Sequence, residues 1–381
     1  MAKEKEFTDV APVRRMPERT LHLALQGGGA HGAFTWGVLD RLLEEPDLQI
    51  GRISGASAGA LNGAALATGM ACGGREEAKR TLALLWRRVL EAGLLMTMLH
   101  VPLKKPGLGI WDDATPIISP YLANPLALEP LRYVLSSIVD IDRMRDPTAP
   151  PLFVNAVNVN TGVSRVFGPA DMSIAALMAS ASAPLTFPAV PIDGDSYWDG
   201  SYGANPMLWP LYDPASVAAG GHDGSDAGAS QSSSIDDDGI DVLFVELTPL
   251  RRAETPTTAK NILNRINEVA SINGLLSELR AVHLVNRAAA VPKVRMHVLS
   301  FPGMGSDADL EPSRKRTVDP LLFEALRQQG RAACDRWLLD NGELIGQRAT
   351  VDIHQRYLVP MTRHGAQSNR AEVAGSAPLA V

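Results

Sequence analysis

Cysteine is nearly absent from this chain: Cys72 and Cys334 are the only two among 381 residues. Two cysteines cannot build a disulfide framework, and neither stands in a C-x-x-C or Cys/His spacing, so a disulfide-stapled scaffold and a structural metal site are both excluded. Blocks of basic residues are missing as well. Lys and Arg number 36 against 42 Asp and Glu, for a net charge of −6, which leaves no electrostatic footprint for nucleic acid and no strong attraction to anionic membranes. No run approaches the roughly 20 apolar residues that span a bilayer. The densest, 94–99, ends in His100 and Pro102. The first 20 residues mix charges and prolines, and the apolar run 21–25 is too short for the core of a signal peptide. The expectation is a cytoplasmic protein that meets a membrane only peripherally and transiently, with no nucleic-acid partner. No internal repeat and no G-K-[ST] phosphate loop is present.

The apolar runs that do occur alternate in type. Residues 21–26 read as a buried strand, 32–45 as a helix with Phe34, Val38, Leu42 and Leu43 on one face, 49–54 as a second strand, and 58–69 as an alanine-rich helix. Strand, helix, strand, helix argues for a parallel sheet. From 81 to 145 the pattern is helical but broken by six prolines, which suits a covering, lid-like insertion. Residues 152–157 and 163–167 flank Asn160-Thr161-Gly162 as a hairpin, and 190–198 folds around Asp193-Gly194 as another, with Asp199 just beyond it. Residues 173–183 read as a small-residue helix. The Gly/Ser/Ala/Asp-rich segment 215–239 reads as a disordered insertion, since regular elements resume at 241–248, 259–290, 294–300 and 320–339. The organisation predicted is an N-terminal tail over 1–20, one domain over 21–361 with the insertion at about 214–240, and a tail over 362–381.

Two glycine-rich turns carry the chemistry. Gly55-Ala56-Ser57-Ala58-Gly59 fits G-x-S-x-G, in which small neighbours allow a sharp strand-to-helix turn that leaves a serine Oγ exposed above the sheet edge. Taken alone it fits a helix-capping serine equally well. Gly27-Gly28-Gly29-Ala30-His31-Gly32 is open to two readings. Gly27, Gly29 and Gly32 spell G-x-G-x-x-G, with Glu44, Glu45 and Asp47 near the distance of a ribose-binding acid, so a dinucleotide-binding protein is one. In the other, the backbone N–H groups of Gly28 and Gly29 form an oxyanion hole and Ser57 attacks a carbonyl. Only the second gives both turns a role. A serine needs a base, yet none of the eight histidines (His22, His31, His100, His222, His283, His297, His354, His364) sits in a recognisable local motif.

The order of these turns, followed by Ala179-Ser180-Ala181-Ser182-Ala183-Pro184, Phe187-Pro188 and Asp199-Gly200, resembles the patatin-like phospholipase family from about residue 21 to 205, with weaker support over 241–248. The resemblance implies a three-layer α/β/α sandwich around a mostly parallel sheet and a lipid acyl hydrolase that works without metal or cofactor. It implies a Ser/Asp dyad with Ser57 as nucleophile and Asp199 as base. The oxyanion turn would comprise Gly27, Gly28, Gly29 and His31, with Gly32, Gly55, Gly59 and Gly200 as motif glycines. His31 departs from the Arg or Lys of many members, and Ser201 from the usual Gly or Ala. A free aspartate, with a pKa near 3.9, is a poor base, so the reading requires Asp199 to be desolvated and fixed close to Ser57.

The expected substrate is a lipid or another hydrophobic ester, with short hydroxyalkanoate oligomers as an alternative. A dinucleotide-binding protein and a catalytically silent lipid-binding scaffold are the alternatives from other classes. Residues 94–99, with Trp86 and Trp111, fit either an acyl-binding wall or ordinary helix packing.

Overall fold

Two parallel strands with uniformly apolar C-terminal halves organise the fold. In the computed structural model, which describes residues 19–100, 119–123, 128–184, 186–213, 239–248, 250, 252, 255–288, 294–302 and 318–359, the chain opens with β1 (Arg19–Leu25). A single turn of 3-10 helix (Gly29–His31) then leads into α1 (Gly32–Leu42), β2 (Leu48–Gly55) and α2 (Ala58–His100). Three short helices follow, α3 (Pro120–Ala123), α4 (Glu129–Ser136) and α5 (Ile141–Met144). Together with α2 they form the helical insertion expected between β2 and β3. The hairpin β3 (Leu152–Asn158) and β4 (Ser164–Phe167) comes next, then α6 (Ile174–Ser180) and the hairpin β5 (Val190–Ile192) and β6 (Asp195–Asp199). The described chain is completed by α7 (Trp209–Tyr212), β7 (Ile240–Glu246), α8 (Ala259–Arg287), β8 (Val294–Ser300) and α9 (Pro320–Asn341).

The strands form one sheet in the order β5-β6-β3-β2-β1-β7-β8, with β4 also paired to β3. β3, β2, β1, β7 and β8 run parallel, and the two hairpins add antiparallel pairs at one side. The alternation of side chains along the strands divides the core in two. Leu21, Leu23 and Leu25 of β1, with Leu243 and Val245 of β7, pack into the cluster formed with α1, α2 and α9. Ala24, Val242 and Phe244, one residue out of phase, pack into the cluster formed with α7 and α8. The three-layer α/β/α sandwich follows directly from that alternation.

Two boundaries differ from those the sequence suggests. β1 begins at Arg19, inside the segment assigned to the N-terminal tail. α2 does not stop near Gly69 but runs on, kinked where Gly73 and Gly74 leave helical geometry, and Gly74 takes a φ of +71° that suits only glycine. The tails, the 214–238 insertion and Trp111 lie outside the described residues, as do the side chains of 94–99.

α1 and α9 cross at close range. Backbone meets backbone there, because a Cβ at Gly37 would overlap the Arg327 carbonyl and one at Gly330 would overlap the Phe34 carbonyl. Above the crossing, Arg327 and Arg331 both reach the buried Asp40. Gly330→Ala is therefore expected to force the helices apart and to cost about 2 kcal/mol, read as a lower denaturant midpoint at unchanged m-value.

Candidate active site

β1 and β2 lie side by side in parallel register, Leu25 opposite Gly55, so the turns that follow them leave the same edge of the sheet. Crevices at the carboxyl ends of parallel strands are the usual binding sites of such sheets. The two turns touch. A Cβ on Gly27 would lie 2.7 Å from Ser57 Cβ, and one on Gly59 would overlap the Leu25 carbonyl, so both positions must be glycine for the turns to meet. Gly32, Gly55 and Gly200 are likewise closely packed.

Ser57 carries a φ of +51°, an unusual conformation for a residue with a side chain. Strain of this kind persists only where neighbours over-determine it. Here the Ser57 N–H donates to Ser180 Oγ at 3.0 Å, and the Ser57 carbonyl accepts from Leu61 in the first turn of α2. The side chain is thereby held off the helix axis, over the cavity that the two turns share.

Asp199 arrives from the opposite direction along β6, where its partner is Ala156 of β3. Its N–H donates to the Ser182 carbonyl at 3.0 Å, and Ser182 in turn donates through Oγ to the Pro188 carbonyl at 2.6 Å. Asn155 secures the following turn by donating to the carbonyls of Gly200 and Ala204 at 2.7 and 3.0 Å. Asp199 is 4% exposed. Burial pushes its pKa up to about 6, against the opposing pull of the Ser201 N–H and of the nearby Ser201 and Ser57 hydroxyls. The Ser201 N–H donates to Oδ1 at 2.8 Å. Ser57 and Asp199 line the same cavity, and the Ser57 hydroxyl is close enough to the carboxylate to pull its pKa down against burial. A serine hydroxyl beside a desolvated carboxylate has the chemistry that a nucleophile and its base require.

The first glycine turn divides in its roles. Gly28 and Gly29 line the cavity, and among the described residues their N–H groups have no protein acceptor, which is the condition for an oxyanion hole. Gly27 and His31 do not contribute donors there. The Gly27 N–H is spent on Asn205 Oδ1 at 2.6 Å, and the His31 N–H on the Gly28 carbonyl at 3.2 Å. The His31 ring is 1% exposed and lies against Phe301, with centroids 5.4 Å apart, rather than against the cavity. Among the described residues no histidine lines the cavity, whereas two carboxylates, Asp199 and Glu268, do, and Glu268 is paired with Arg252 and Arg265.

The geometry also removes the dinucleotide reading. Glu44, Glu45 and Asp47 precede β2, at the amino edge of the sheet, whereas Gly27 to Gly29 follow β1 at the carboxyl edge. Glu44 is held by Lys79 and Arg331, and Glu45 by Arg41. Among the described residues no cluster of His, Cys, Asp or Glu could hold a metal ion, and no helix is long and apolar enough to cross a membrane.

Two polar side chains that no motif singled out fix the first turn in place. Asn205 accepts from Gly27 and donates to the Gly27 carbonyl at 3.2 Å and to Ser271 Oγ at 2.9 Å. Gln26 accepts from the N–H groups of Leu247 and Thr248 at 2.6 and 2.7 Å, tying the end of β1 to the end of β7. Gln26 closes the strand read over 21–26 and adjoins the glycine turn, but Asn205 carried no local signal because its partners lie 66 and 178 residues away.

The cavity above these groups has a volume of about 490 Å³. Leu61, Leu85, Trp86, Val89, Leu131 and Phe323 form one side, so Trp86 serves as a wall of the cavity as well as packing against Trp36. A strained serine and a buried carboxylate beneath a mainly apolar cavity, at the carboxyl edge of an α/β/α sheet, define the class: a lipid acyl hydrolase.

The chain belongs to the patatin-like phospholipase family, whose pattern it matches over residues 23–212. No curated protein matches it. Solved structures that it resembles include VipD from Legionella pneumophila, at 13% identity and a TM-score of 0.38 over 94% of this chain and 75% of that one. A chain of the ExoU–SpcU complex from Pseudomonas aeruginosa is matched at 18% identity and a TM-score of 0.29, again over 94% of this chain. The present chain spans 60% of the length of that relative.

Because Asn205 serves the turn, its neighbouring strand end and α8 together, Asn205→Ala leaves the buried Gly27 N–H without an acceptor. The expected cost is about 2 to 3 kcal/mol of stability, measured by urea unfolding.

Proposed function

We propose that the protein hydrolyses carboxylic esters of lipids through a Ser57/Asp199 dyad. The observation that carries the reading is a conformationally strained serine and a carboxylate shielded from water that line one cavity beside two free backbone donors. In the first half-reaction Ser57 Oγ bonds to the ester carbonyl carbon as its proton passes to Asp199. The N–H groups of Gly28 and Gly29 receive the charge on the carbonyl oxygen. The carbon–oxygen bond to the alcohol then breaks, and Asp199 returns the proton to the departing alkoxide. In the second half, water attacks the acyl-serine, Asp199 takes the water proton, and the fatty acid leaves as Ser57 recovers its own.

A fluorophosphonate probe is expected to add covalently to Ser57 in the native protein and not in Ser57→Ala, as read by intact mass and peptide mapping. An unlabelled native protein overturns the proposal. Asp199 must be ionised to act, so kcat/KM is expected to fall about tenfold per pH unit below about 6.

Stability runs the other way. The native carboxyl binds its proton more tightly than the unfolded chain, whose carboxyl titrates near 3.9, so the stability from this group falls as pH rises from about 4 through 6. Asp199→Asn is accordingly expected to lower kcat by about 10³-fold while leaving Tm at pH 8 unchanged or higher. Undiminished turnover in that variant would move the base elsewhere.

A further inference from the structure

The cavity above Ser57 has two unlike walls. One is hydrocarbon, from α2, α4 and α9. The other is the face of α8 that presents Asn264, Asn267, Glu268 and Ser271, whose spacing of three and four residues places them together on one side of the helix. Resting on the esterase reading above, we infer that this α8 wall is the subsite for the alcohol portion of the ester. It selects alcohols that carry free hydroxyl groups over alcohols that carry a second acyl chain.

The argument turns on which polar groups of the wall are already satisfied. Glu268 is buried and takes hydrogen bonds from Arg252 Nε and from Arg265, each at 3.1 Å, with a further bond from the Arg252 terminal nitrogen. Two guanidinium groups offset its single charge, so the wall does not repel anionic head groups. Ser271 accepts from Asn205, the same side chain that clamps Gly27, which registers α8 to the oxyanion turn. Asn264 and Asn267 remain. Both are half-buried against the cavity, and neither amide has a partner among the described residues.

A primary amide offers two donors and an acceptor. Its natural complement is a hydroxyl, which donates and accepts in turn. Hydrocarbon laid on the same wall would strip water from two amides and return no hydrogen bond. With one apolar wall for the scissile acyl chain, a second chain has only this polar wall to occupy. Monoacylglycerols and lysophospholipids share the favoured chemistry: one acyl chain and a free hydroxyl beside the ester.

The test compares kcat/KM in mixed micelles for four esters of one fatty acid: a monoacylglycerol, its diacylglycerol, a lysophosphatidylcholine and its phosphatidylcholine. The full chain is used as wild type and as Asn264→Leu/Asn267→Leu, with fluorophosphonate labelling of Ser57 reporting that each protein keeps a formed site. The single-chain member of each pair is expected to be favoured by about tenfold or more in the wild type, and the double variant is expected to lose that preference. A preference confined to the glycerol pair, or to the phosphocholine pair, supports the subsite and names which source it reads. A wild type indifferent to the second chain overturns the inference, even if the double variant fails to fold. So does a double variant that labels normally and keeps the wild-type ratio. Failure of every ester, with no label on Ser57, sinks the esterase reading itself and this inference with it.

Discussion

The contact of two glycine turns at the carboxyl ends of β1 and β2 is the constraint on which the rest of the site depends. Parallel pairing of Leu25 with Gly55 sends both turns off the same edge, and they meet so closely that Gly27 and Gly59 have no room for a side chain. That proximity sets the Gly28 and Gly29 N–H groups and Ser57 around one cavity. A carbonyl seated there would face a hydroxyl and two donors at once. Preorganisation of this kind means that little has to rearrange when charge develops on the carbonyl oxygen.

Holding the turns together requires polar groups in places where water does not reach. Asn205 and Gln26 satisfy the backbone of the first turn, while Ser180 satisfies the Ser57 N–H. Ser182 and Asn155 do the same for the approach to Asp199. Each is buried and hydrogen-bonded, as the interior demands. Among the described residues no cation pairs with Asp199. Burial without an ion pair raises its pKa to about 6, which makes it a usable base near neutrality and a destabilising charge in the fold.

The cavity divides along the same lines. α2, α4 and α9 contribute hydrocarbon because their inward faces continue the main core, and α8 contributes amides because its polar face overhangs the sheet edge rather than the sheet. Glu268 joins this face only because Arg252 and Arg265 meet it there. The cavity thus lies between a surface that rewards removal from water and one that rewards hydrogen bonding.

Sequence by itself determined the strand, turn and helix elements, because hydrophobic period, glycine turns and helix caps are local properties. It also determined Ser57 as a serine on a sharp turn, through small neighbours at fixed spacing. The ordered motifs brought Asp199 into view as its companion, although no local pattern distinguishes Asp199 from the turn residues Asp193 and Asp195. Only the tertiary structure decided which donors face the cavity: Gly27 and His31 share the motif with Gly28 and Gly29, but their N–H groups are spent on Asn205 and on the Gly28 carbonyl. It alone decided that Glu44, Glu45 and Asp47 lie at the opposite edge of the sheet, and that Asn205, Asn264 and Asn267 line the cavity. The reason is physical. A turn is specified by its own residues, whereas hydrogen-bond partners and cavity walls are specified by chain segments tens to hundreds of residues apart, and only folding brings those within reach.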